Sequence, residues 1–384
     1  MKTMAVICEY NPFHNGHAYQ LATHRKELEA DGIIAVMSGQ FVQRGAPAVC
    51  DKWTRAKMAL AGGCDLVLEL PAIYATASAE RFASGAVSLI EQLKIVDYLS
   101  FGSECGCLDK LADIADLLLS PGFHNRVETA LKRGASYPSA RTEVISESLG
   151  KEYAALLSTP NNTLGIEYLK ALRKLRSRIL PYTLRRAVGS GRFATASDIR
   201  SMLVSGNGAT SLVPTSTSEI LSQTEIFSGG AALDHIITYL FRTLTPEQLR
   251  RIPDMTEGLE HRFITAAAKY HTFEDIRSAV KTKRYTQTRL NRIIMNLLLG
   301  ITKEDILIEP QYIRVLGMNE TGRSILRAMK KKVSIPIIVK TADAKLITFH
   351  AKRMFEIDVR ASDIYALLTQ KRGAADYTTS PVIV

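Results

Sequence analysis

The first hundred residues alternate between short apolar runs and amphipathic stretches with helical spacing. The apolar runs occupy residues 4–10, 32–39, 64–75 and 96–104. The stretches between them place apolar residues on one helical face, over residues 17–28, 51–63 and 79–93. Strands and helices that alternate in this way build parallel βαβ units, so the sequence predicts an α/β fold around a Rossmann-like parallel sheet.

The middle of the chain is more helical. Residues 108–178 have helical periodicity, with breaks at residues 134–143 and 158–165. Residues 178–188 have the pattern of a returning strand, and residues 189–203 that of a glycine-rich loop that enters a helix. Ligands of open parallel sheets bind beyond the carboxyl ends of the strands, and several polar loops follow the apolar runs at that edge.

The length of 384 residues exceeds that of one ordinary single-core domain. Beyond about residue 205 the pattern is mostly helical, apart from a short apolar run at residues 333–340. We therefore expect an α/β catalytic domain over residues 1–205, followed by a mostly helical, basic region over residues 206–384.

Composition excludes several classes of protein. Hydrophobic residues make up 46% of the chain and charged residues 23%, which is typical of a soluble globular protein. The chain has no apolar run long enough for a bilayer and no secretory signal pattern, so we expect it in the cytoplasm. The five cysteines include a CxC pair at Cys105 and Cys107, which lacks the second pair of a zinc site. No disulfide framework and no metal site are predicted.

The formal charge of +11 is unevenly distributed. Residues 1–100 carry 9 basic and 10 acidic side chains, so the rest of the chain holds the whole excess. Clustered positive charge of this kind favours a polyanion partner, most often a nucleic acid. The alternative is a basic protein without such a partner, and charge alone does not separate the two.

Two histidines flank a glycine where the first apolar run meets the first helix, in the sequence His14-Asn15-Gly16-His17. A helix N-terminus attracts phosphate, and a glycine lets a ligand approach the backbone. Imidazoles can donate hydrogen bonds to phosphate oxygens as charge develops on them. The pattern therefore favours binding and activation of a nucleoside triphosphate. The alternative is that both histidines only cap the helix.

This motif resembles the HxGH signature of the nucleotidylyltransferase superfamily. Its surroundings are similar to the tRNA(Met) cytidine acetate ligase family in particular. The similarity covers nearly the whole chain in order, through residues 9–17, 36–48, 65–71, 101–104, 134–140, 160–172, 257–262, 281–293 and 312–318.

The resemblance implies a reaction in two steps. Acetate attacks the α-phosphate of ATP, with Mg²⁺ as the accompanying cation, and gives acetyl-adenylate and pyrophosphate. The acetyl group then passes to N4 of the wobble cytidine of elongator tRNA(Met). ATP is thus a co-substrate, and the expected partners are acetate and tRNA, with no membrane and no protein partner.

The resemblance also implies the residues of the site. His14 and His17 are expected to be catalytic. The expected nucleotide-binding residues are Ile7, Cys8, Glu9, Tyr10, Asn11, Pro12, Phe13, His14, Asn15, Gly16, His17, Gln20, Gly102, Asn162, Arg186, Ser197 and Arg200.

Three of these assignments have structural alternatives. Asn162 can contact adenine or ribose, or it can form an Asx-turn or a helix cap. Strand alternation allows only one of two adjacent arginines to face the ligand, and the resemblance favours Arg186. Ser197 and Arg200 are phosphate-binding candidates, although Thr195 and Asp198 match a capping box that explains the same stretch.

A basic stretch at residues 281–292 contains no acidic residue. Cationic side chains grip phosphates and an aromatic ring can stack an unpaired base, so this stretch predicts RNA contact. The alternative is a solvated helix face. The expected RNA-binding residues are Arg44, Lys281, Lys283, Arg284, Tyr285, Arg289 and Arg292.

Two other functions fit parts of the sequence. One is a nucleotidylyltransferase that joins AMP to a small phosphorylated metabolite, and the other is a non-catalytic RNA-binding protein with a relic nucleotide pocket. The long basic helical region and the family-wide resemblance argue against the first. The intact pair of histidines argues against the second.

Overall fold

The computed structural model describes residues 1–134, 136–186 and 194–384. The strands in these residues are β1 (Thr3–Cys8), β2 (Gly32–Ser38), β3 (Phe41–Val42), β4 (Ala46–Pro47), β5 (Leu66–Leu70), β6 (Tyr98–Ser103), β7 (Leu180–Arg185), β8 (Ile313–Met318), β9 (Ile337–Ile338) and β10 (Val382–Ile383). The helices up to residue 204 are α1 (Asn15–Glu27), α2 (Lys52–Ala61), α3 (Ala72–Ala75), α4 (Ala79–Gln92), α5 (Leu108–Leu119), α6 (Phe123–Lys132), α7 (Tyr137–Leu149), α8 (Lys151–Leu156), α9 (Pro160–Lys174) and α10 (Ala196–Val204). The later helices are α11 (Thr215–Ser222), α12 (Ala231–Thr243), α13 (Pro246–Arg250), α14 (Leu259–Lys269), α15 (Phe273–Val280), α16 (Gln287–Leu299), α17 (Glu320–Lys330), α18 (Phe349–Leu368) and α19 (Ala375–Thr378).

The main sheet has the strand order β10-β8-β5-β2-β1-β6-β7, and β9 pairs with β8 beside this path. The five strands from β5 to β7 are parallel to their neighbours. The strand order reverses at β1, which has β2 on one side and β6 on the other. The predicted α/β fold with a Rossmann-like parallel sheet is confirmed. Such a reversal opens a crevice beyond the carboxyl ends of the strands, where ligands of this fold class bind.

Most of the predicted elements lie where the pattern put them. The apolar run at 64–75 is divided, because Pro71 ends β5 and the following residues form α3. The breaks expected in the helical middle are the starts of α7 and α9. Residues 187–193 lie outside the described residues, and they include the end of the expected returning strand (187–188) and the start of the expected glycine-rich loop (189–193).

The sheet continues across the expected boundary near residue 205. Strand β8 pairs antiparallel with β5, with Leu66 opposite Met318, and β10 is parallel to β8. The sequence analysis did not identify β8 as a strand, although all six of its residues are buried. The division into two domains stays a prediction, and the later segment supplies part of the sheet.

A buried cluster of charges holds these distant segments together. The Lys52 ammonium lies 2.8 Å from both carboxylate oxygens of Glu69 and 2.8 Å from Asp376 Oδ1. The Arg314 guanidinium lies 3.3 Å from Glu69 and 2.5 Å from Asp376. No side chain of the four is more than 6% exposed. Each charge therefore depends on its partners for the solvation that water would otherwise supply.

Helices cover both faces of the sheet. On one face α1 and α2 pack through residues such as Leu21 and Met58, and on the other α4 and α9 pack through Ile90 and Leu169. Strand β2 is buried along its whole length, as expected for a central parallel strand. Over the described ranges, no helix is both long enough and apolar enough to cross a membrane.

Candidate active site

Arg55 fixes the carboxyl ends of the two central strands. Its guanidinium is fully buried and donates to the carbonyl of Glu9 at 2.7 Å and to that of Ser38 at 3.0 Å. It also donates to the carbonyl of Cys50 at 3.1 Å. The loops that follow β1 and β2 are therefore tied to one cation, a role that the sequence analysis missed because a lone arginine in a helix gives no such signal.

His14 and His17 form the N-terminal cap of α1. The Nδ1 atom of His14 accepts from the backbone N–H of Gly16 at 3.1 Å, and the Nδ1 atom of His17 accepts from the backbone N–H of His14 at 3.2 Å. The two rings stack with centroids 3.6 Å apart. The capping alternative is therefore observed, but it uses only the Nδ1 atoms. Since a neutral imidazole has one acceptor and one donor nitrogen, each Nε2 carries the proton.

Both imidazoles are held in the neutral form. Burial, together with the positive charges of Arg186 and Arg200, lowers the pKa of His14 to about 4. Burial also lowers the pKa of His17 well below its ordinary value, with contributions from His14 and Arg186. At neutral pH the pair thus offers two Nε2–H donors without a net charge. Donors of this kind can follow negative charge as it develops on a phosphate.

The backbone donors at the start of α1 are occupied. The N–H of Asn15 donates to the carbonyl of Leu212 at 3.1 Å, and that of Gly16 donates to His14. The side chain of Asn15 also donates to the carbonyl of Ser211 at 2.9 Å. The expected attraction of phosphate to this helix end therefore cannot use the N–H groups of Asn15 and Gly16 in this structure, because the carbonyl of Leu212 and the Nδ1 atom of His14 already accept from them.

Two arginines act on the histidines, and a third acts on these two arginines. Arg186 is half-buried after β7, Arg200 is half-buried on α10, and Arg44 is exposed between β3 and β4. Burial lowers the pKa of both Arg186 and Arg200, and the charge of Arg44 acts on both in the same direction. Arg200 also donates to the carbonyl of Asn11 at 2.9 Å. Clustered guanidiniums of this kind suit a polyphosphate.

The loop after β6 is organised by a carboxylate. Glu104 accepts from the backbone N–H and side-chain amide of Asn161 at 3.2 and 2.7 Å, and from the backbone N–H of Asn162 at 2.7 Å. The Oδ1 atom of Asn161 in turn accepts from Arg186 at 2.8 Å. Glu104 therefore positions Arg186 through Asn161. The sequence analysis assigned a role to neither of these two residues.

Asn162 has a structural role in the loop after β6. Its side chain is 1% exposed, and its Oδ1 atom accepts from the backbone N–H groups of Glu104 and Cys105 at 2.9 and 3.1 Å. Its amide group donates to the carbonyl of Leu156 at 3.3 Å. The Asn162 side chain therefore stabilises the loop after β6 through contacts 57 and 58 positions apart in sequence, which are neither an Asx-turn nor a helix cap.

Gly102 brings two other expected residues together. A Cβ atom at this position would lie 3.1 Å from Cγ of Arg186 and 3.7 Å from Oε1 of Gln20. The Gln20 amide donates to Ser100 Oγ at 3.1 Å, beside the end of β6. The absent side chain therefore leaves room between α1 and Arg186, next to the point where the strand order reverses.

The remaining expected nucleotide-binding residues form two groups: buried residues that support the loop after β1, and residues that lie nearer to solvent. Tyr10 and Phe13 are buried and meet edge to face at 4.8 Å, and Pro12 is buried beside them, so these rings support the loop from below. Ile7 and Cys8 are half-buried at the end of β1.

The rim residues lie nearer to solvent. Glu9 accepts from the backbone N–H of Gln43 at 2.9 Å. Ser197 is exposed on α10, and the capping box of Thr195 and Asp198 is present as the sequence indicates.

Acidic side chains from an earlier segment pair with two of the five cations of the basic stretch. Glu257 lies 2.9 Å from Arg284, and Asp254 lies 3.5 Å from Arg292. Arg289 donates to the carbonyl of Asp254 at 3.0 Å. A stretch without acids in sequence is therefore partly neutralised in space.

Tyr285 is not available to a base. Its side chain is 5% exposed, and its hydroxyl donates to Glu257 at 3.1 Å. The stacking role that we expected for Tyr285 is wrong. Lys281 and Lys283 are exposed, and within the described part of the chain neither has an ion pair.

A glycine joins the nucleotide site to this basic helix. Gly45 has φ +75°, and a Cβ atom there would lie 2.5 Å from the backbone nitrogen of Arg292. The turn that carries Arg44 therefore rests directly on α16. The turn after β3 is therefore in direct contact with the helix that carries Arg289 and Arg292.

The fold and the site define a nucleotidyl transferase of the HxGH type, and a family model described as "HIGH Nucleotidyl Transferase" matches residues 1–379. A protein of Thermoanaerobacter sp. (strain X514) named tRNA(Met) cytidine acetate ligase is 45% identical, over 98% of this chain and 97% of its own. A protein of the same name from Acetivibrio thermocellus is 39% identical over the full length of both chains. The chain belongs to the tRNA(Met) cytidine acetate ligase family, as the sequence analysis indicated.

Solved structures agree with this assignment. The crystal structure of Thermotoga maritima TmcAL bound with alpha-thio ATP superposes with a TM-score of 0.93 at 32% identity, and covers 100% of both chains. The apo form of the same protein also superposes with a TM-score of 0.93, at 31% identity.

Proposed function

We propose that this chain is an ATP-dependent ligase that acetylates N4 of the wobble cytidine of elongator tRNA(Met). The observation that carries the proposal is the pair of neutral, capped imidazoles of His14 and His17 beneath the guanidiniums of Arg186 and Arg200. These histidines lie at the crevice where this fold class binds nucleotides, and the chain belongs to the acetate ligase family. The alternative of a small phosphorylated metabolite as the acceptor has no comparable support.

In the first step an oxygen of acetate attacks the α-phosphorus of ATP. A bond forms between that oxygen and phosphorus, and the bond to the bridging oxygen of pyrophosphate breaks. The Nε2–H groups of His14 and His17 donate to the phosphate oxygens, on which negative charge builds during this exchange. Arg186 and Arg200 hold the β- and γ-phosphates in place, so that pyrophosphate leaves in line with the attack.

In the second step N4 of cytidine attacks the acetyl carbonyl carbon. The new bond is the amide C–N bond, AMP leaves with the electron pair of the C–O bond, and N4 loses one proton. Arg44 lies between the phosphate-binding arginines and α16, and we assign it to the RNA backbone next to the target base. Exposed Lys281 and Lys283 extend the same cationic surface.

We also propose that ATP binds together with Mg²⁺ and that the reaction takes place in the cytoplasm. In the described residues no three His, Cys, Asp or Glu side chains form a metal site. The phosphates of ATP are therefore the proposed ligands for Mg²⁺, with Glu9 as the nearest carboxylate of the β1 loop. The cation would offset part of the negative charge of the triphosphate.

One experiment tests the proposal. The protein is incubated with ATP, labelled acetate and total bacterial tRNA, and the RNA is digested to nucleosides. Label is expected in N4-acetylcytidine, and the double change His14→Ala and His17→Ala is expected to abolish it. Unlabelled RNA together with pyrophosphate release that requires a phosphorylated metabolite would contradict the proposal, as would tRNA binding without any turnover of ATP.

A further inference from the structure

Helices α14 and α15 enclose an open pocket of about 370 Å³ to which nothing above assigns a role. Its lining includes His261, Arg262, Thr265, Lys269 and Tyr270. These residues are exposed, and the ring of Tyr270 is 42% exposed. The pocket thus combines cationic groups with an accessible aromatic ring.

Helical spacing aligns the cationic groups on one face of α14. Arg262 and Lys269 are seven residues apart, which is two helical turns and about 10 Å. Small side chains between them, Ala266 on α14 and Ala279 on α15, leave the space open. The rim is therefore positive at both ends of a shallow floor.

The opposite face of α14 holds the helix rigidly. Phe263 is fully buried and stacks on Phe241 of α12, with ring centroids 4.6 Å apart and planes inclined by 3°. Leu259 and Ala267 are fully buried on the same side. The charged face is thus pre-organised, which lowers the cost of binding a ligand there.

Acidic groups near the pocket are already engaged. Glu260 is buried and lies 2.9 Å from Arg250. Asp275, one turn before Ala279, accepts a 2.7 Å hydrogen bond from Thr272 Oγ1. In the described ranges neither Arg262 nor Lys269 has an ion pair, so their charges are available to an anion.

The pocket adjoins the exposed lysines of the basic stretch. Ala279 precedes Lys281 by two residues, and Lys283 follows on the same exposed segment. That segment leads into α16, against which the Arg44 turn packs through Gly45. A segment with two exposed lysines therefore connects the pocket to the helix on which the Arg44 turn rests.

We infer that this pocket binds one nucleotide of the RNA substrate away from the reacting cytidine. Arg262 and Lys269 take flanking phosphates, and the ring of Tyr270 stacks the base. Single-stranded RNA presents both groups, because its unpaired bases can turn out onto aromatic side chains. The inference rests on the proposed RNA-directed function and adds a second point of contact to it.

The test introduces a carboxylate into the pocket. Thr265→Glu places a negative charge between the two cations, and Ala268→Glu makes the same change in net charge on an exposed position of α14 outside the pocket. The probe is an unmodified elongator tRNA(Met) transcript, with binding measured by filter retention between 50 and 200 mM salt. Thr265→Glu is expected to weaken binding about tenfold, and Ala268→Glu less than twofold.

A second pair of variants guards against misfolding. The double change Arg262→Ala and Lys269→Ala is expected to reduce the slope of log affinity against log salt by about 1.4, the value for two single-strand phosphate contacts. The matched control removes two exposed charges from α17, with Arg323→Ala and Lys330→Ala. Helix α17 follows β8, which runs antiparallel to β5 and so ends at the amino edge of the parallel strands.

The readouts separate this inference from the proposed function. Acetate-dependent exchange of pyrophosphate into ATP is measured without RNA and is expected to be unchanged in all four variants. Equal RNA affinity of Thr265→Glu and the unchanged chain, or an equal loss in Ala268→Glu, would overturn the inference. Absence of acetate-dependent exchange in the unchanged chain would overturn the proposed function, while the RNA measurements would still decide the pocket.

Discussion

Replacing Glu104 by Gln is expected to weaken ATP binding about fivefold. The carboxylate accepts three hydrogen bonds from Asn161 and Asn162, and Asn161 orients Arg186. A Gln carbonyl can keep the two bonds from Asn161, but its NH₂ group then faces the backbone N–H of Asn162. One charge-assisted bond is lost, which costs about 1.5 kcal/mol at this half-buried position.

A smaller effect opposes this loss. Removal of the negative charge reduces its repulsion of the ATP phosphates, a gain of roughly 0.5 kcal/mol at the dielectric of a solvated site. The net cost of about 1 kcal/mol corresponds to about fivefold in a dissociation constant. This cost weakens ATP binding, because Arg186 faces the phosphates in a smaller fraction of the molecules when Asn161 is no longer held by Glu104.

The assay is isothermal titration of ATP in the absence of acetate. Asn161→Ala breaks the same chain of contacts, so the double variant with Glu104→Gln is expected to bind ATP nearly as well as the weaker single variant. Glu152→Gln is the matched control, because Glu152 is 67% exposed and its ion pair among the described residues is with Lys110 at 3.3 Å. If Glu104→Gln binds ATP as tightly as the unchanged chain while Arg186→Gln does not, the positioning argument is refuted.

Three further predictions concern stability. Asp376→Ala leaves the buried cations of Lys52 and Arg314 with the single carboxylate of Glu69 between them, and is expected to lower the free energy of unfolding by about 3–5 kcal/mol in urea titrations; a loss below 1 kcal/mol would contradict this. Burial lowers the pKa of His24 to about 4, so the unfolded chain binds a proton that the folded chain does not between pH 6.5 and pH 4. Stability therefore falls as pH drops through this window, and His24→Gln is expected to have a shallower decline, by up to about 1.4 kcal/mol per pH unit, in denaturant titrations at several pH values. Gly45→Ala is expected to cost more than Gly63→Ala in the same titrations, because both have positive φ but only the first places a Cβ against the backbone of α16.

Features formed by residues close together in the sequence were the ones that the sequence predicted best. The strand, the loop and the histidine pair lie within fifteen positions, so apolar periodicity and the HxGH spacing were enough to predict a nucleotide site. The capping geometry that fixes the tautomers of His14 and His17 involves the same four residues. The sequence allowed the two histidines either to cap the helix or to bind phosphate. In the structure the Nδ1 atoms cap the helix, and the Nε2 atoms remain as donors.

Contacts between distant residues were not predictable in this way. Glu104 and Asn161 are 57 positions apart, and Tyr285 is buried by Glu257 from another segment. Neither pairing leaves a periodic pattern. Strand β8 was missed for the same reason, since its partner β5 lies about 250 residues earlier and its six residues resemble any short buried run.

The buried charge cluster has a consequence for synthesis of the chain on the ribosome. Lys52 and Glu69 emerge early, but Arg314 and Asp376 are translated some 245 and 307 positions after Glu69. Until then the edge of the nascent sheet at β5 holds ionised groups that water must still solvate. The sheet can therefore be completed only after the C-terminal residues have been synthesised. Cleavage of the polypeptide just before α19 would remove Asp376 and leave the buried cations of Lys52 and Arg314 with Glu69 alone.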